Sequence, residues 1–253
     1  MTDQKNSGVE QGFISHLLEL RNRLIRASAA VIIIFLCLMP FAATIFDLLA
    51  APMMNALPAG AKMIAIGVIA PFMVPVKIAL LLAFVLALPY VLYQAWAFIA
   101  PGLYEHERSL VVPLIVSSSF LFYSGMACCY FFVFGVVFGF IQQFAPQTVS
   151  VAPDIESYYG FVLTMFIAFG VTFEVPVVVV VLVRMGVVTM EQLRQSRRYV
   201  IVGAFVIAAI VTPPDVMSQL LLAVPLCLLY ELGLLAAPLF VKAGRNKREQ
   251  EKE

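Results

Sequence analysis

The sequence predicts an all-α membrane protein of six transmembrane helices, with N- and C-termini cytoplasmic and the last two helices short. Composition is the first reason: of 253 residues, 62 % are hydrophobic and only 12 % are charged, a balance foreign to soluble globular domains. The second is that the apolar residues fall in long uncharged runs, several near the roughly 20 needed to cross about 30 Å of hydrocarbon. None alternates like a barrel strand, so helices must satisfy the backbone in lipid. The third is charge placement. With six crossings and the N-terminus inside, 14 of the 16 Lys and Arg residues face the cytoplasm and only Lys62 and Lys77 lie outside. That excess favours an even number of crossings. The net charge of +1 says nothing about partners.

The candidate spans are residues 27–46, 76–96, 110–141, 158–183, 199–212 and 216–241. They make residues 1–253 a single polytopic membrane domain, with a cytoplasmic segment (1–26), a six-helix bundle (27–241) and a charged cytoplasmic tail (242–253). Phe13, Leu17, Leu20 and Leu24 recur at helical spacing, so an interfacial helix over 12–27 is expected to feed the first span. That span is too long, and its leader too polar, for a cleaved signal peptide; it reads as a retained anchor.

The outer segment 47–75 is apolar and carries Pro52, Pro58, Pro71 and Pro75, which predicts short helices lying on the membrane or packed as a cap. Residues 110–141 hold no formal charge over 32 positions, about 48 Å as one helix, so this span must tilt or project beyond the lipid. Thr189 and Gln192 have capping-box spacing ahead of Arg194, Arg197 and Arg198, leaving an apolar stretch of only about 21 Å in the fifth span. The sixth runs 15 residues, 216–230, before Glu231. Such a pair either stands inside a protein bundle or thins the bilayer. Cys37, Cys128, Cys129 and Cys227 all lie in spans, outside any ligand spacing with His16 or His106, and read as small core residues.

Against this background a few polar residues stand out. Glu174 lies mid-span in "FGVTFEVP", with Gly170 one turn before it and Pro176 just after. An ionisable group there faces protein or water and suggests function, although a protonated carboxyl used purely for packing fits the same position. Gln94 is a second intramembrane polar group. The inner loop "YQAWAFIAPGLYEHERS" sets Glu105 and Glu107 on a side otherwise dominated by bases. Such acids can grip guanidinium groups, with Phe98, Leu103 and Tyr104 adding apolar contact, or they can form a solvated turn paired with nearby arginines. In "TPPDVMSQ", Asp215 suits an N-cap of the last helix, while Thr212 and Gln219 are placed to bond another transmembrane helix. Lys77 snorkels. No nucleotide loop, nucleophile constellation, metal site or cofactor site is visible. The chain is not read as an enzyme, and energy must come from elsewhere.

Four ordered motifs, "HLLELRNRL", "YQAWAFIAPGLYEHER", "FGVTFEVP" and "VGAFVIAAIVTPPDVMSQ", closely resemble the TatC family, the multi-spanning receptor component of the twin-arginine (Sec-independent) protein translocase. The resemblance covers nearly the whole chain and is closest to enterobacterial-type members. It implies a concave bundle in the bacterial cytoplasmic (inner) membrane that binds twin-arginine signal peptides of folded cargo through Glu19, Arg21, Phe98 and Glu107, with Glu107 facing the arginines. It implies contact with the single-span TatB and TatA helices at Thr212 and Gln219. It matches Glu174 to an embedded family carboxylate and Asp215 to the outer turn. Export would be driven by the proton motive force, without cofactor, metal or nucleic acid, in a complex with lipid and further copies of the chain. Arg184 matches no family motif and is read as a topology determinant. The alternative is a proton-coupled small-solute transporter using Glu174; against it, the interior lacks paired broken helices and has little polar besides Glu174, Gln94 and Glu231.

Overall fold

The computed structural model describes residues 3–57, 62–99, 111–144, 152–212 and 215–250. They form α1 (Asp3–Leu38), a 3-10 turn (Met39–Phe41), α2 (Ala42–Ala56), α3 (Ala70–Ile99), α4 (Val111–Cys128), a π-turn (Cys129–Val133), α5 (Phe134–Phe144), α6 (Ile155–Arg184), α7 (Met190–Gln195), α8 (Arg197–Val211) and α9 (Val216–Gln250). Among these residues the β structure is one parallel bridge, Ile64 to Asp154. Five stretches are long and apolar enough to cross a membrane: His16–Asn55, Ala70–Phe98, Val112–Phe144, Ile155–Arg184 and Val216–Pro238. The 15-residue α8 is shorter than these.

Several boundaries differ from expectation, each for a physical reason. The interfacial helix and first span are one continuous helix, α1, because no Gly or Pro interrupts residues 13–39. Pro40 then falls at the start of the 3-10 turn, and α2 begins inside the predicted first span. The long charge-free span is not uniform, because the π-turn divides α4 from α5. The capping box of Thr189 and Gln192 forms as predicted, but it caps a separate six-residue α7, and α8 restarts after Ser196. The last helix is not short: α9 runs past Glu231, and its apolar part reaches Pro238. Cys129 is buried, whereas Cys37 is exposed, so the thiols do not share a core role; all four are free.

Two compact units are present. In the first, Met1–Ile45 and Pro75–Ser119, α3 buries Ala79, Ala83 and Ala87 together with Ile78 and Leu88. Alanines four residues apart make a narrow stripe that permits close packing. Leu24, Ile33 and Leu36 of α1 remain exposed, an apolar face suited to lipid.

The second unit comprises Phe46–Val74 and Phe120–Glu253. Its most extensive contact is α6 on α9, followed by α8 on α9. Gly233 of α9 lies against Pro176 and Val179 of α6, where an added Cβ would sit 3.0 Å from the proline Cα. Gly170 does the same for Phe122, whose ring fills the space a side chain would need. Aromatic rings from α5 and α6 fill the rest: Phe134 packs on Phe138, Phe161 and Phe166 at centroid distances of 5.5, 5.9 and 5.3 Å, within the range for favourable ring contact.

Pro52 lies inside α2. A helical proline has no N–H for the carbonyl four residues back, here Leu48. The Tyr130 hydroxyl, in the π-turn, donates to that Leu48 carbonyl at 2.9 Å. Tyr158 of α6 donates to the adjacent Leu49 carbonyl at 2.7 Å. A wide π-turn often marks such a specialised position. The segment between α2 and α3 is tied down separately: the Ile64 amide donates to the Pro153 carbonyl (3.0 Å) and the Ile155 amide to the Ile64 carbonyl (2.9 Å). Asp154 N-caps α6 by accepting from the Ser157 amide at 2.9 Å, and also accepts from the Ile66 amide at 3.3 Å. The bonds from Ser157 above all, and that from Ile66, hold the Asp154 carboxyl below the usual carboxylate range, against a smaller opposing effect of desolvation.

These clasps can be tested one at a time. Tyr130→Phe should cost about 1 kcal/mol in thermal unfolding, and in a Pro52→Ala background the cost should largely vanish, because alanine at that position supplies the missing N–H. An undiminished cost in that double mutant would show that the hydroxyl serves something else. Because Asp154 has a depressed pKa, its contribution is fully present above the ordinary carboxylate pKa of about 3.9 and is lost as pH falls through the lowered folded value. Exchange of the Ile66 and Ser157 amides, corrected for intrinsic rates, should therefore accelerate below about pH 4. In Asp154→Ala that acid-dependent step should be absent.

Candidate functional site

On the first unit three of the residues singled out by sequence, Glu19, Gln94 and Phe98, meet at the end of α3 and the part of α1 beside it. Glu19 and Arg23 share one face of α1, four residues apart, as helical side chains at that spacing do. The Arg23 Nε and Nη2 both donate to Glu19 Oε1, at 2.9 and 2.6 Å. From 71 positions away, Gln94 of α3 offers its Oε1 to Arg23 Nη1 at 3.4 Å, and Gln94 is only 5 % exposed. One turn further on, the Phe98 ring stacks on His16 at 4.2 Å and 19°. Glu19, Gln94 and Phe98 are thus brought together, through two residues, Arg23 and His16, to which the sequence alone assigns no site role. The i,i+4 spacing of Glu19 and Arg23 was the available signal. Arg21 is exposed on another face. Glu107, with Glu105, lies outside the described residues. Leu18, Glu19, Asn22, Arg23 and Arg26 border an open depression of about 430 Å³.

The second unit holds the other predicted residues. Glu174 is half-buried on α6, with its Oε1 shielded, and Pro176 leaves α6 unbroken. Beside it Val171, Thr172 and Val175 join residues of α8 and α9, among them Ile207 and Leu222, in lining an apolar groove of about 490 Å³. Thr212 is buried at the C-cap of α8, with its hydroxyl donating to the Ala208 carbonyl at 2.8 Å. Asp215 accepts from the Ser218 amide at 2.6 Å, the bond of an N-cap to the third helical residue. Gln219 donates from Nε2 to the Phe205 carbonyl of α8 at 3.2 Å, tying α9 to α8. At the other end of α8, Arg197 pairs with Glu231 at 2.8 Å, and the buried Tyr230 hydroxyl donates to the Leu193 carbonyl at 2.8 Å. Sequence reading missed this pairing, although it had marked Glu231 as polar.

The chemistry available is recognition: half-exposed carboxylate and guanidinium groups beside an aromatic pair on one unit, an embedded carboxyl beside an apolar groove on the other. A family model described as Sec-independent protein translocase protein (TatC) matches residues 15–225, the stretch that carries nearly all these groups. The chain belongs to the TatC family. The TatC of Escherichia coli (strain K12) is similar at 53 % identity over 239 residues, 94 % of this chain and 93 % of that protein. That of Aquifex aeolicus (strain VF5) is 40 % identical over 243 residues, covering 94 % of this chain and 98 % of its own. A crystal structure of the twin-arginine translocase receptor TatC aligns with a TM-score of 0.78 and 40 % identity, covering 88 % of this chain and 98 % of that one. The small-solute transporter reading of Glu174 gains no support from these TatC relatives.

The Asp215 cap is testable by itself. Asp215→Ala should destabilise the start of α9 by about 1 kcal/mol and Asp215→Asn by much less, since both Asp and Asn cap well; protection of the Ser218 amide and the melting temperature read the difference.

Proposed function

We propose that this chain is the receptor and core subunit of a twin-arginine translocase, capturing the signal peptides of folded proteins at the cytoplasmic face of a bacterial inner membrane. The observation that carries the reading is the convergence of Glu19, Gln94 and Phe98 from two TatC motifs far apart in sequence. A carboxylate beside an aromatic pair suits an arginine followed by apolar residues, because guanidinium groups bond carboxylates and stack on rings. Glu107, on the adjoining inner loop, takes the paired arginines with Glu19, and Arg21 shapes the same surface. The apolar part of a signal would be accommodated near Glu174, beside which the groove of α6, α8 and α9 is lined by apolar side chains.

The chain crosses the membrane six times in this reading, with both ends cytoplasmic, α8 and α9 forming the last two crossings. Recruitment of TatB and TatA runs along the α8–α9 edge. There Gln219 keeps its amide oxygen as an acceptor for a partner helix, and Thr212 sets the turn from which that edge starts. Both roles need the two helices held together, which the Gln219 bond to Phe205 and the Arg197–Glu231 pair supply. Transport energy comes from the proton motive force.

Export of a folded reporter carrying an Arg-Arg signal, in cells where this chain replaces the resident TatC, tests the reading. Glu107→Ala should weaken signal binding about tenfold or more, as expected for loss of a charge-assisted bond. A photoprobe beside Glu107 should capture an Arg-Arg peptide and not its Lys-Lys counterpart. Capture indifferent to that exchange would remove the receptor reading.

A further inference from the structure

We infer that Arg23 is an internal stand-in for a signal arginine: it occupies Glu19 until an incoming guanidinium displaces it, and so sets the affinity a signal must exceed. The inference rests on the receptor reading of Glu19 given above. It starts from geometry. Both Arg23 bonds fall on one oxygen, Oε1, rather than on the two carboxylate oxygens of a parallel fork. The fork is the stronger and more directional arrangement, so an approaching signal arginine can gain a contact that Arg23 does not make. The pair is also partly open, with side-chain exposures of 22 % for Arg23 and 36 % for Glu19, and it borders the 430 Å³ depression. A ligand can reach it.

Displacement also needs somewhere for Arg23 to go. Gln94 meets that need: its nearly buried amide oxygen already accepts from Nη1, so Arg23 keeps one partner when Glu19 is taken. Without it, the released guanidinium would lose its partners together, and a part-buried charge left unpaired is costly. Nearby, the His16–Phe98 stack holds α1 against α3, so the exchange is one of side chains and leaves the two helices in place.

A competing internal group has a distinctive signature. It weakens every ligand for Glu19 by the same factor, leaving the ratio between an Arg-Arg and a Lys-Lys peptide unchanged while pushing the weaker one out of the working range. The test measures binding of fluorescent synthetic signal peptides, Arg-Arg and Lys-Lys, to the full chain in lipid nanodiscs. Arg23→Gln should tighten both by a similar factor of about two to five, the worth of a partly exposed ion pair. Arg23→Lys, which keeps the charge but loses the two-donor grip, should tighten them less. Arg26→Gln, which removes a neighbouring charge on the same helix, should do less than Arg23→Gln. Gln94→Leu should weaken binding in the native background and have no effect in the Arg23→Gln background.

Equal or weaker binding of the Arg-Arg peptide by Arg23→Gln overturns the inference, as does a gain no larger than that of Arg26→Gln. Should Arg23→Gln fail to fold, Arg23→Lys decides, since unchanged or weaker binding there also overturns it. Glu19→Gln separates the two levels. If it leaves Arg-Arg binding intact, the receptor reading of Glu19 fails; if it weakens binding while Arg23→Gln brings no gain, only the stand-in fails.

Discussion

In hydrocarbon a backbone group that loses its partner finds no water to replace it, and the fold of this chain depends on that constraint. Among the described residues helices satisfy it for most of the backbone and prolines interrupt it, at Pro52, Pro75, Pro89, Pro176, Pro225 and Pro238. At Pro52 the solution comes from outside the helix, since Tyr130 reaches the Leu48 carbonyl that the proline leaves free. The π-turn belongs to the same solution. One wide turn shifts the helical register by about 100°, so the aromatic residues on either side of it meet different neighbours than a regular helix would present. Tyr130 sits within the turn, between α2 and the ring cluster of Phe134 and Phe166.

Charges obey the constraint in another form. The ion pairs of Glu19 with Arg23 and of Arg197 with Glu231 both join groups that are partly exposed. Glu231 is the instructive case. Read alone, it should end the apolar stretch of the last helix. Paired with Arg197, it is carried within α9 without a break, and the helix gains further apolar turns that pack Leu234 and Ala237 against Val179. An acid that looks like a terminator in one segment is a cross-link once the neighbouring helix is in place.

That contrast explains what the sequence makes legible. Apolar runs and charge asymmetry identify a helical membrane protein, because they depend only on the bilayer as solvent. Local signals succeed as well: the Thr189–Gln192 capping box and the Asp215 N-cap involve residues three apart and both form. Where helices divide is less legible. The interfacial segment and the start of the first span give no sign of being one helix except the absence of Gly and Pro from residues 13–39, and the π-turn has no composition of its own. Long-range polar contacts are hidden altogether. Nothing in the sequence joins Tyr130 to Leu48 or Gln94 to Arg23, since such bonds exist only after packing brings distant segments together. For the candidate site, family motifs single out Glu19 and Phe98, but not the neighbours that orient them.

The basic excess expected to orient the chain also poses a problem for its proposed work. In the proposed topology the face rich in arginine is cytoplasmic and repels a cationic signal, and at physiological ionic strength that repulsion is screened beyond about 8 Å. Attraction must therefore be built within one screening length, by a carboxylate placed among the bases. Glu19 stands with Arg21, Arg23 and Arg26 within about two turns of one helix, so its neighbours partly cancel its field at a distance. A cationic peptide gains little from afar and much on contact, provided it brings a guanidinium that makes bonds and not merely a charge. In the proposed reading, a receptor that must ignore the many lysine-rich segments of the cytoplasm is served by that arrangement: the positive-inside distribution expected from the sequence would also make recognition short-ranged, and short range is where arginine differs from lysine.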